Sequence, residues 1–197
     1  TYVVIPIIQN SQLINDDLRY TLTGISDPVV LQSFHLLNPA SEYKNPNFTQ
    51  RLEIGAGVKF PLGAIDKMVN NLTPNLDLQA GTGSWDILSM AKYWFKMDKY
   101  GGMLNLNYKW NTFNNNDYRY GNTFNGTINL FYQTSIKNLT LMPLVGVNVE
   151  KANFDASTEE HLNTGGNVWF AQTALRFYWK GFMLFGEFQK AVSNKLN

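Results

Sequence analysis

Hydrophobic and polar residues alternate with a period of two along most of the chain. The clearest case lies between residues 101 and 135, where two alternating segments flank the turn-rich stretch TFNNNDYRYGN. One set of positions in the first segment is apolar: Leu104, Leu106, Tyr108 and Trp110. The positions between them carry amides and a lysine: Asn105, Asn107 and Lys109. Because successive side chains of a strand point to opposite faces, this pattern predicts a β-hairpin with one apolar and one polar face.

The same alternation predicts about nine strands and no helix. They cover residues 2–9, 29–37, 51–60, 84–97, 103–111, 124–133, 139–149, 168–179 and 182–190. Residues 10–27 are expected to be mostly loop, with a short strand at 18–22 as an alternative, and 76–79 is a second candidate for a short strand. Long connections follow the odd-numbered strands, and shorter ones follow the even-numbered strands.

Two fold classes fit an amphipathic antiparallel sheet. A soluble β-sandwich buries its apolar face in a core, whereas a membrane barrel turns that face to lipid and its polar face to the lumen. The alternation of long and short connections favours the barrel, since outer-membrane barrels have long loops at one end and short turns at the other. The charged residues of the predicted strands lie almost all on the amide face. The sequence therefore predicts an all-β fold, an antiparallel transmembrane β-barrel.

Composition excludes several classes of function and kinds of site. Charged residues make up 16% of the chain, below the roughly 25% of soluble domains, and the net charge is +1. This balance excludes nucleic-acid binding through a basic footprint. The chain has no cysteine, which excludes disulfides and thiolate metal sites. No apolar run approaches the roughly 18 residues of a spanning helix, so a membrane location requires a closed sheet.

An odd strand count conflicts with the even number that is normal for single-chain bacterial barrels. The first residues, TYVVIPIIQN, read as the interior of a strand and lack the features of a signal peptide. We therefore expect residues 1–197 to form one outer-membrane barrel domain that is incomplete at both termini.

Four short motifs resemble a known family. They are EIGAGVKFPLG at 53–63, LQAGTGSWD at 78–86, DYRYGN at 117–122 and FQKAVSNKL at 188–196. In this order they resemble a Bacteroidota outer-membrane barrel family that is commonly labelled only "transporter". It is similar in architecture to the meta-pathway phenol-degradation barrel proteins. The stretch GISDPVVLQSFHLL at 24–37 also resembles the start of a strand in that family, except that Ser26 stands where glycine is usual.

The resemblance covers about residues 24–196 and implies a longer parent chain. Family members carry a signal peptide, about two strands before the segment and one after it. With the nine strands predicted here, the barrel would have about 12. The resemblance implies no ligand that can be assigned to particular residues.

Few residues suggest catalysis or metal binding. Ser33 and His35 share a strand face, but positions two apart along a strand are separated by about 6.5–7 Å. That is too far for the hydrogen bond of a nucleophile–base pair, so a strand-end histidine is the favoured interpretation. His161, Glu159, Glu160 and Asp155 could gather a cation such as Ca²⁺, although a solvated acidic loop is the favoured interpretation. We expect no catalytic residue, no cofactor and no bound metal.

Glycines and tryptophans are assigned structural roles. The segment GAGVKFPLG does not precede a helix and is not a phosphate cradle, so its glycines are expected to make room for large neighbours in the wall. Four tryptophans on the apolar faces are expected to form interfacial girdles rather than sugar-stacking platforms: Trp85, Trp110, Trp169 and Trp179.

The polar face supplies the candidates for lining the lumen. They are Arg51, Glu53, Lys59, Asp86, Lys92, Lys96, Asn105, Asn107, Lys109, Asn129, Gln133, Asn148, Glu150, Gln172, Arg176 and Glu187. These residues could border a narrow solute path or form internal salt bridges that plug the barrel. We expect a passive outer-membrane channel for a small solute, hydrophobic or aromatic by analogy with the phenol-pathway barrels. The alternative is a non-conducting barrel subunit of a larger outer-membrane complex, in contact with lipid and with other outer-membrane proteins.

Overall fold

The computed structural model describes residues 1–14, 17–37, 48–65, 67–68, 78–157 and 163–196. Fourteen strands run in chain order as β1 (Tyr2–Val4), β2 (Ile7–Ile14), β3 (Asp17–Ile25), β4 (Val29–Leu37), β5 (Phe48–Lys59), β6 (Asp86–Met97), β7 (Tyr100–Asn111), β8 (Tyr118–Arg119), β9 (Thr123–Tyr132), β10 (Thr134–Ile136), β11 (Leu139–Ala152), β12 (Ala156–Ser157), β13 (Gly166–Trp179) and β14 (Phe182–Leu196). Within these ranges there is no α-helix, and hence none that is long and apolar enough to cross a membrane.

One large antiparallel sheet contains most of the strands. Its order is β1-β4-β5-β6-β7-β9-β11-β13-β14, and β10 pairs with β11 beside this path. Two small sheets, β2-β3 and β8-β12, lie outside it. In the part of the chain that is described, β1 and β14 are the two edges and are not paired with each other. The sheet is therefore open.

The nine predicted strands correspond to the nine strands along this path, which confirms the all-β antiparallel class. The prediction of a loop at 10–27 is wrong, because β2 and β3 form a hairpin there, and the alternative of a strand at 18–22 is confirmed as part of β3. The first predicted strand is also wrong beyond Val4. The chain leaves the main sheet at Pro6, whose carbonyl oxygen accepts a hydrogen bond from the backbone of Ser26, and continues as β2. Leu78 and Gln79 are not in a strand, and 76–77 lie outside the described residues.

Connections at the two ends of the main sheet differ in length. At one end, two-residue turns join β6 to β7 and β13 to β14, and the second turn has positive φ at both Lys180 and Gly181. Such a turn matches the twist of the strands that it joins. At the other end, long connections follow β1, β5, β7 and β11. We call these the turn end and the loop end.

Pro143 in the interior of β11 is accommodated by a gap in the strand pairing. β11 pairs with β10 at Leu139–Leu141 and with β9 from Leu144 onwards, and Pro143 lies between the two segments. Because proline cannot donate a backbone hydrogen bond, it is tolerated where that side of the ladder is interrupted.

The two faces of the main sheet differ in chemistry and in exposure. One face is apolar, and its side chains at the centres of the strands are exposed: Ile128 and Leu130 at 58% and Val145 at 57%. The other face is polar, and several of its side chains are buried: Asn148 is 5% exposed and Gln172 is 4% exposed. This arrangement is the reverse of a soluble sandwich, in which the apolar face is covered.

The sheet curls around its polar face. Neighbouring strands are about 4.7–4.9 Å apart, so strands separated by one intervening strand lie about 9.5 Å apart. Across β7, Trp94 nevertheless stacks on Phe131 with ring centroids 6.0 Å apart. Across β11, the Gln172 amide donates to Asn129 at 2.6 Å. We call the polar face concave and the apolar face convex.

Candidate functional site

The concave face collects the polar residues that the sequence analysis selected. The strand register places on it all of the predicted lumen-lining residues except Gln133. Gln133 lies just after β9, where its backbone N–H donates to the Lys99 carbonyl. The period-two pattern therefore identified one continuous surface from seven different strands.

A buried ionic cluster closes the loop end of this face. Lys59 at the end of β5 forms ion pairs with Asp86, which begins β6, and with Asp27, which precedes β4, the latter at 3.3 Å. Asp27 and Asp86 are 2% and 1% exposed. Ser84 donates to Asp86 at 2.9 Å. Two carboxylates and one ammonium are thus held together where water is excluded.

Asp27 also fastens the long connection between β5 and β6, and we call residues 60–85 the strap. One carboxylate oxygen of Asp27 accepts from the backbone of Gly63, and the other accepts from both the backbone and the hydroxyl of Thr82, each at 2.8 Å. Gly63 and Gly81 meet so closely that a Cβ on Gly81 would lie 2.4 Å from the Gly63 backbone. Asp27 therefore binds the strap near both of its ends, at Gly63 and at Thr82.

The environment of Asp27 favours its ionised form. Burial alone is the largest influence and raises the pKa of Asp27. The hydrogen bonds from Thr82 and Gly63 and the charge of Lys59 together outweigh it, so the pKa lies below the ordinary value of 3.8. Asp86 and Lys109 are further charged groups close to Asp27 and Lys59.

The β2-β3 hairpin packs against the strap. The Asn10 amide donates to the Leu78 carbonyl at 3.2 Å, and the Lys67 ammonium donates to the Thr23 carbonyl at 2.8 Å. Leu22 is buried at 6% exposure. The hairpin and the strap therefore support each other at the loop end.

A network of amides crosses the middle of the concave face. Gln189 donates to Gln172 at 3.1 Å, Gln172 donates to Asn129, and Asn148 donates to the Thr127 hydroxyl at 2.8 Å. Gly146 makes room for it, because a Cβ there would lie 2.1 Å from the Asn129 side chain.

An apolar cluster that the sequence analysis missed occupies the turn end of the concave face. Phe131, Met142 and Leu144 are buried, and Trp94 and Met103 pack against them. These residues are on the polar side of the alternation, so only a strand-by-strand assignment of every residue could have shown them. The concave face is therefore polar towards the loops, whereas its turn end combines apolar residues with charged ones such as Arg176, which is opposite Met142.

A cavity of about 500 Å³ lies between these two regions, over β5, β6 and β7. Its walls include Arg51, Glu53, Lys92, Trp94 and Met103. Glu53 and Lys92 are direct partners in the β5-β6 register, and Arg51 is opposite Trp94. The cavity combines cationic groups with an apolar wall.

Ser33 and His35 lie two positions apart on one face of β4. His35 Nε2 lies 3.7 Å from the carboxylate of Glu53 on the neighbouring strand. The strand register and the exposed side chain of His35 agree with the favoured interpretation of a strand-end histidine.

Asp155 makes structural contacts at the loop end. Its carboxylate accepts hydrogen bonds from the Tyr118 hydroxyl and from the Gly121 backbone, both at 2.6 Å, and β8 pairs with β12 beside it. The other members of the proposed acidic cluster, Glu159, Glu160 and His161, lie outside the described residues. Among the residues described, no group of three His, Cys, Asp or Glu side chains is arranged to hold a metal ion.

Aromatic side chains form two rows on the convex face. Towards the turn end lie Tyr93, Phe95, Tyr100, Tyr132, Phe177 and Trp179, and towards the loop end lie Tyr108, Trp110, Phe124 and Trp169. Trp85 directly precedes β6 at the loop end, where its ring packs against Phe60. Tyr100 packs on Tyr132 in the first row, and Tyr108 packs on Trp110 in the second. Three of the four tryptophans predicted to form girdles belong to these rows: Trp110, Trp169 and Trp179.

Comparison with known proteins does not assign this chain to a family. The chain matches no protein-family model, and no curated protein sequence is significantly similar to it.

Proposed function

We propose that this sheet is part of the wall of a transmembrane β-barrel in the outer membrane of a Gram-negative bacterium. The observation that carries the proposal is the reversal of the two faces, with apolar side chains exposed at the centre of the convex face and amides such as Asn148 and Gln172 buried on the concave face. From β5 to β13, the convex positions carry no charge except Lys151, which lies near the loop end of β11. Lipid would cover these apolar side chains, whose exposure to water is unfavourable in free energy.

The spacing of the aromatic rows supports a membrane setting. Tyr100 and Tyr108 are eight positions apart on β7, as are Phe124 and Tyr132 on β9. At about 3.3 Å per residue this separation is about 26 Å along the strand, or about 20 Å in height at a tilt of 35–45°. The apolar band of outer-membrane barrels is about 25 Å tall and is bordered by aromatic girdles.

Closure of the barrel requires further strands. Among the described residues, the outer sides of β1 and β14 are not paired with another strand, and every residue of β14 is exposed. Unpaired edges are not tolerated in a bilayer. We propose that strands outside residues 1–197 pair with both edges and complete a barrel of about 12 strands.

The function that we propose for this barrel is non-enzymatic, passive passage of a small solute through its lumen. The concave face supplies the lining, since mixed charges and amides border the open cavity at its centre. A barrel of about 12 strands is intermediate between filled eight-stranded barrels and open porins.

A second function is favoured by the apolar cluster of Phe131, Met142 and Leu144 and by the strap at the opposite end. The cluster lies at the turn end of the concave face, and the described ends of the strap lie at its loop end. A barrel blocked at these two levels would serve as a non-conducting subunit or anchor in a larger assembly of outer-membrane proteins.

Conductance across a planar lipid bilayer distinguishes these two functions. We expect the complete protein, which includes the strands that close the barrel, to give discrete single-channel steps after insertion. Deletion of strap residues 64–80 should increase the conductance if this segment restricts the lumen, because Gly63 and Thr82 at its two ends are bound to Asp27 at the loop end. If the intact protein inserts and no current above leak is measured, either with the strap or without it, the channel function is wrong and the structural subunit is favoured.

A further inference from the structure

The concave face contains a cavity with features of a ligand site, formed where β5, β6 and β7 run side by side. Its volume, about 500 Å³, is within the range of about 300–1,000 Å³ that small-molecule sites occupy. We propose that this cavity binds a small organic monoanion that combines a carboxylate with an apolar body. The proposal rests on the proposed function, because it assigns a solute class to the same lumen.

Two cations of the cavity, Arg51 and Lys92, have no partner among the residues that the structure describes. Among the described residues, neither Arg51 nor Lys92 has a hydrogen bond or an ion pair, and both are exposed to the concave space. The guanidinium of arginine binds a carboxylate through two parallel hydrogen bonds, and a nearby ammonium adds a third charged donor. An incoming carboxylate would supply the partner that these side chains lack.

Glu53 limits the charge of the ligand. It lies between the two cations, beside Arg51 on β5 and opposite Lys92 on β6. Its Oε2 lies 3.7 Å from His35, and its Oε1 is buried without a hydrogen-bond donor. With Arg51, Lys92 and Glu53 in their charged forms, the three groups carry a net charge of +1. This balance favours a monoanion and disfavours both a neutral solute and a cation.

The apolar part of the cavity lies directly beside Arg51. Trp94 is opposite Arg51 in the strand register, and Met103 is opposite Trp94 on the next strand. Stacking on Phe131 holds the Trp94 ring in place, so this wall is preformed. A ligand whose carboxylate contacts Arg51 would place its apolar body on Trp94 and on the adaptable side chain of Met103.

Titration calorimetry with three matched probes tests this site in the complete protein reconstituted in detergent. 3-Phenylpropanoate has both features, 3-phenylpropanamide has the same shape without the charge, and acetate has the charge without the apolar body. We expect 3-phenylpropanoate to bind at least about tenfold more tightly than either of the other two. Arg51→Gln and Lys92→Gln should each weaken its binding by about tenfold, while Lys190→Gln on β14, outside the cavity, should leave it unchanged.

Equal binding of the acid and the amide, or no binding of the acid at all, would overturn the proposal. Retention of full affinity in both variants would also overturn it, provided that heat-modifiable migration on a gel shows that they fold. Lys92 is exposed and has no ion pair with any described residue, so Lys92→Gln keeps the test decisive even if Arg51→Gln fails to fold. A protein that conducts but does not bind 3-phenylpropanoate would contradict this site alone, whereas one that binds it but never inserts into a bilayer would contradict the proposed function.

Discussion

Replacement of Ile128 by arginine is expected to lower the free energy of unfolding in a phospholipid bilayer by about 2–4 kcal/mol. Ile128 lies at the centre of β9 on the convex face, between Leu104 and Val147, and its side chain is 58% exposed. In water, an exposed substitution of this kind usually changes stability by less than about 0.5 kcal/mol. The large effect is expected only if lipid covers the convex face, because arginine must then lose its hydration or distort the bilayer.

Asn107→Arg provides the matched control, since Asn107 is an exposed residue near the middle of the adjacent strand β7 but on the concave face. We expect it to change the free energy of unfolding by no more than about 0.5 kcal/mol. Denaturant titrations of the protein in vesicles, followed by tryptophan fluorescence, measure both effects. Equal and small effects at the two positions would contradict a lipid-covered convex face.

Asp27→Asn is expected to loosen the strap by about 2 kcal/mol, from the loss of one charge-assisted hydrogen bond to the carboxylate. The replacement keeps the shape of the side chain, but its amide nitrogen would face the N–H of Gly63 or that of Thr82 with a donor instead of an acceptor. Amide hydrogen exchange of Gly63 and Thr82 should accelerate by about thirtyfold. Asp117→Asn, in an exposed turn with a φ of 55°, should leave both rates unchanged.

Acidification should release the strap in the unmodified protein through the same contact. Because the pKa of Asp27 is below 3.8 in the folded state, the stabilisation is fully present above that value and is lost as the pH falls through the folded pKa. Pepsin, which is active at acid pH, should therefore cleave residues 60–85 increasingly as the pH falls below about 4. Cleavage of the Asp27→Asn variant should depend less on pH, because the variant lacks the carboxylate that titrates. An unchanged exchange rate in the variant, or a pH dependence equal to that of the unmodified protein, would contradict the assigned role of Asp27.

The sequence predicts the main sheet well because each of its strands has one consistently apolar face. Leu104, Leu106 and Tyr108 on β7 face the same way as Ile128 and Leu130 on β9, as the register confirms. A strand with this pattern has only one register that keeps every apolar side chain on one side. The polar candidates follow from the same rule, because they occupy the alternate positions.

The β2-β3 hairpin was missed because its partner is remote in sequence. Its residues include many with turn preference, such as Asn10 and Ser11, and it has no long apolar face. The contacts that position it come from the strap, through Leu78 and Lys67. A prediction based on local alternation contains no information about such contacts.

The cavity was not predicted for a related reason. Arg51 and Lys92 could be assigned to the polar face from the sequence, but Trp94 was not assigned to any face there. Its position becomes clear from its register with Met103 and from its stacking on Phe131 across β7. The curvature of the sheet brings these residues together. Curvature depends on small residues such as Gly101, because a Cβ added at this position would lie 2.2 Å from the Phe131 ring.

The most direct test of the lipid-facing assignment is a cysteine scan of β7 in the complete protein. The chain contains no cysteine, so single cysteines at 104 to 108 can each carry one fluorescent label. After reconstitution in vesicles, brominated lipids should quench labels at 104, 106 and 108, and aqueous iodide should quench labels at 105 and 107. Quenching of all five labels by iodide, with none by brominated lipid, would contradict the proposal that the convex face contacts a membrane.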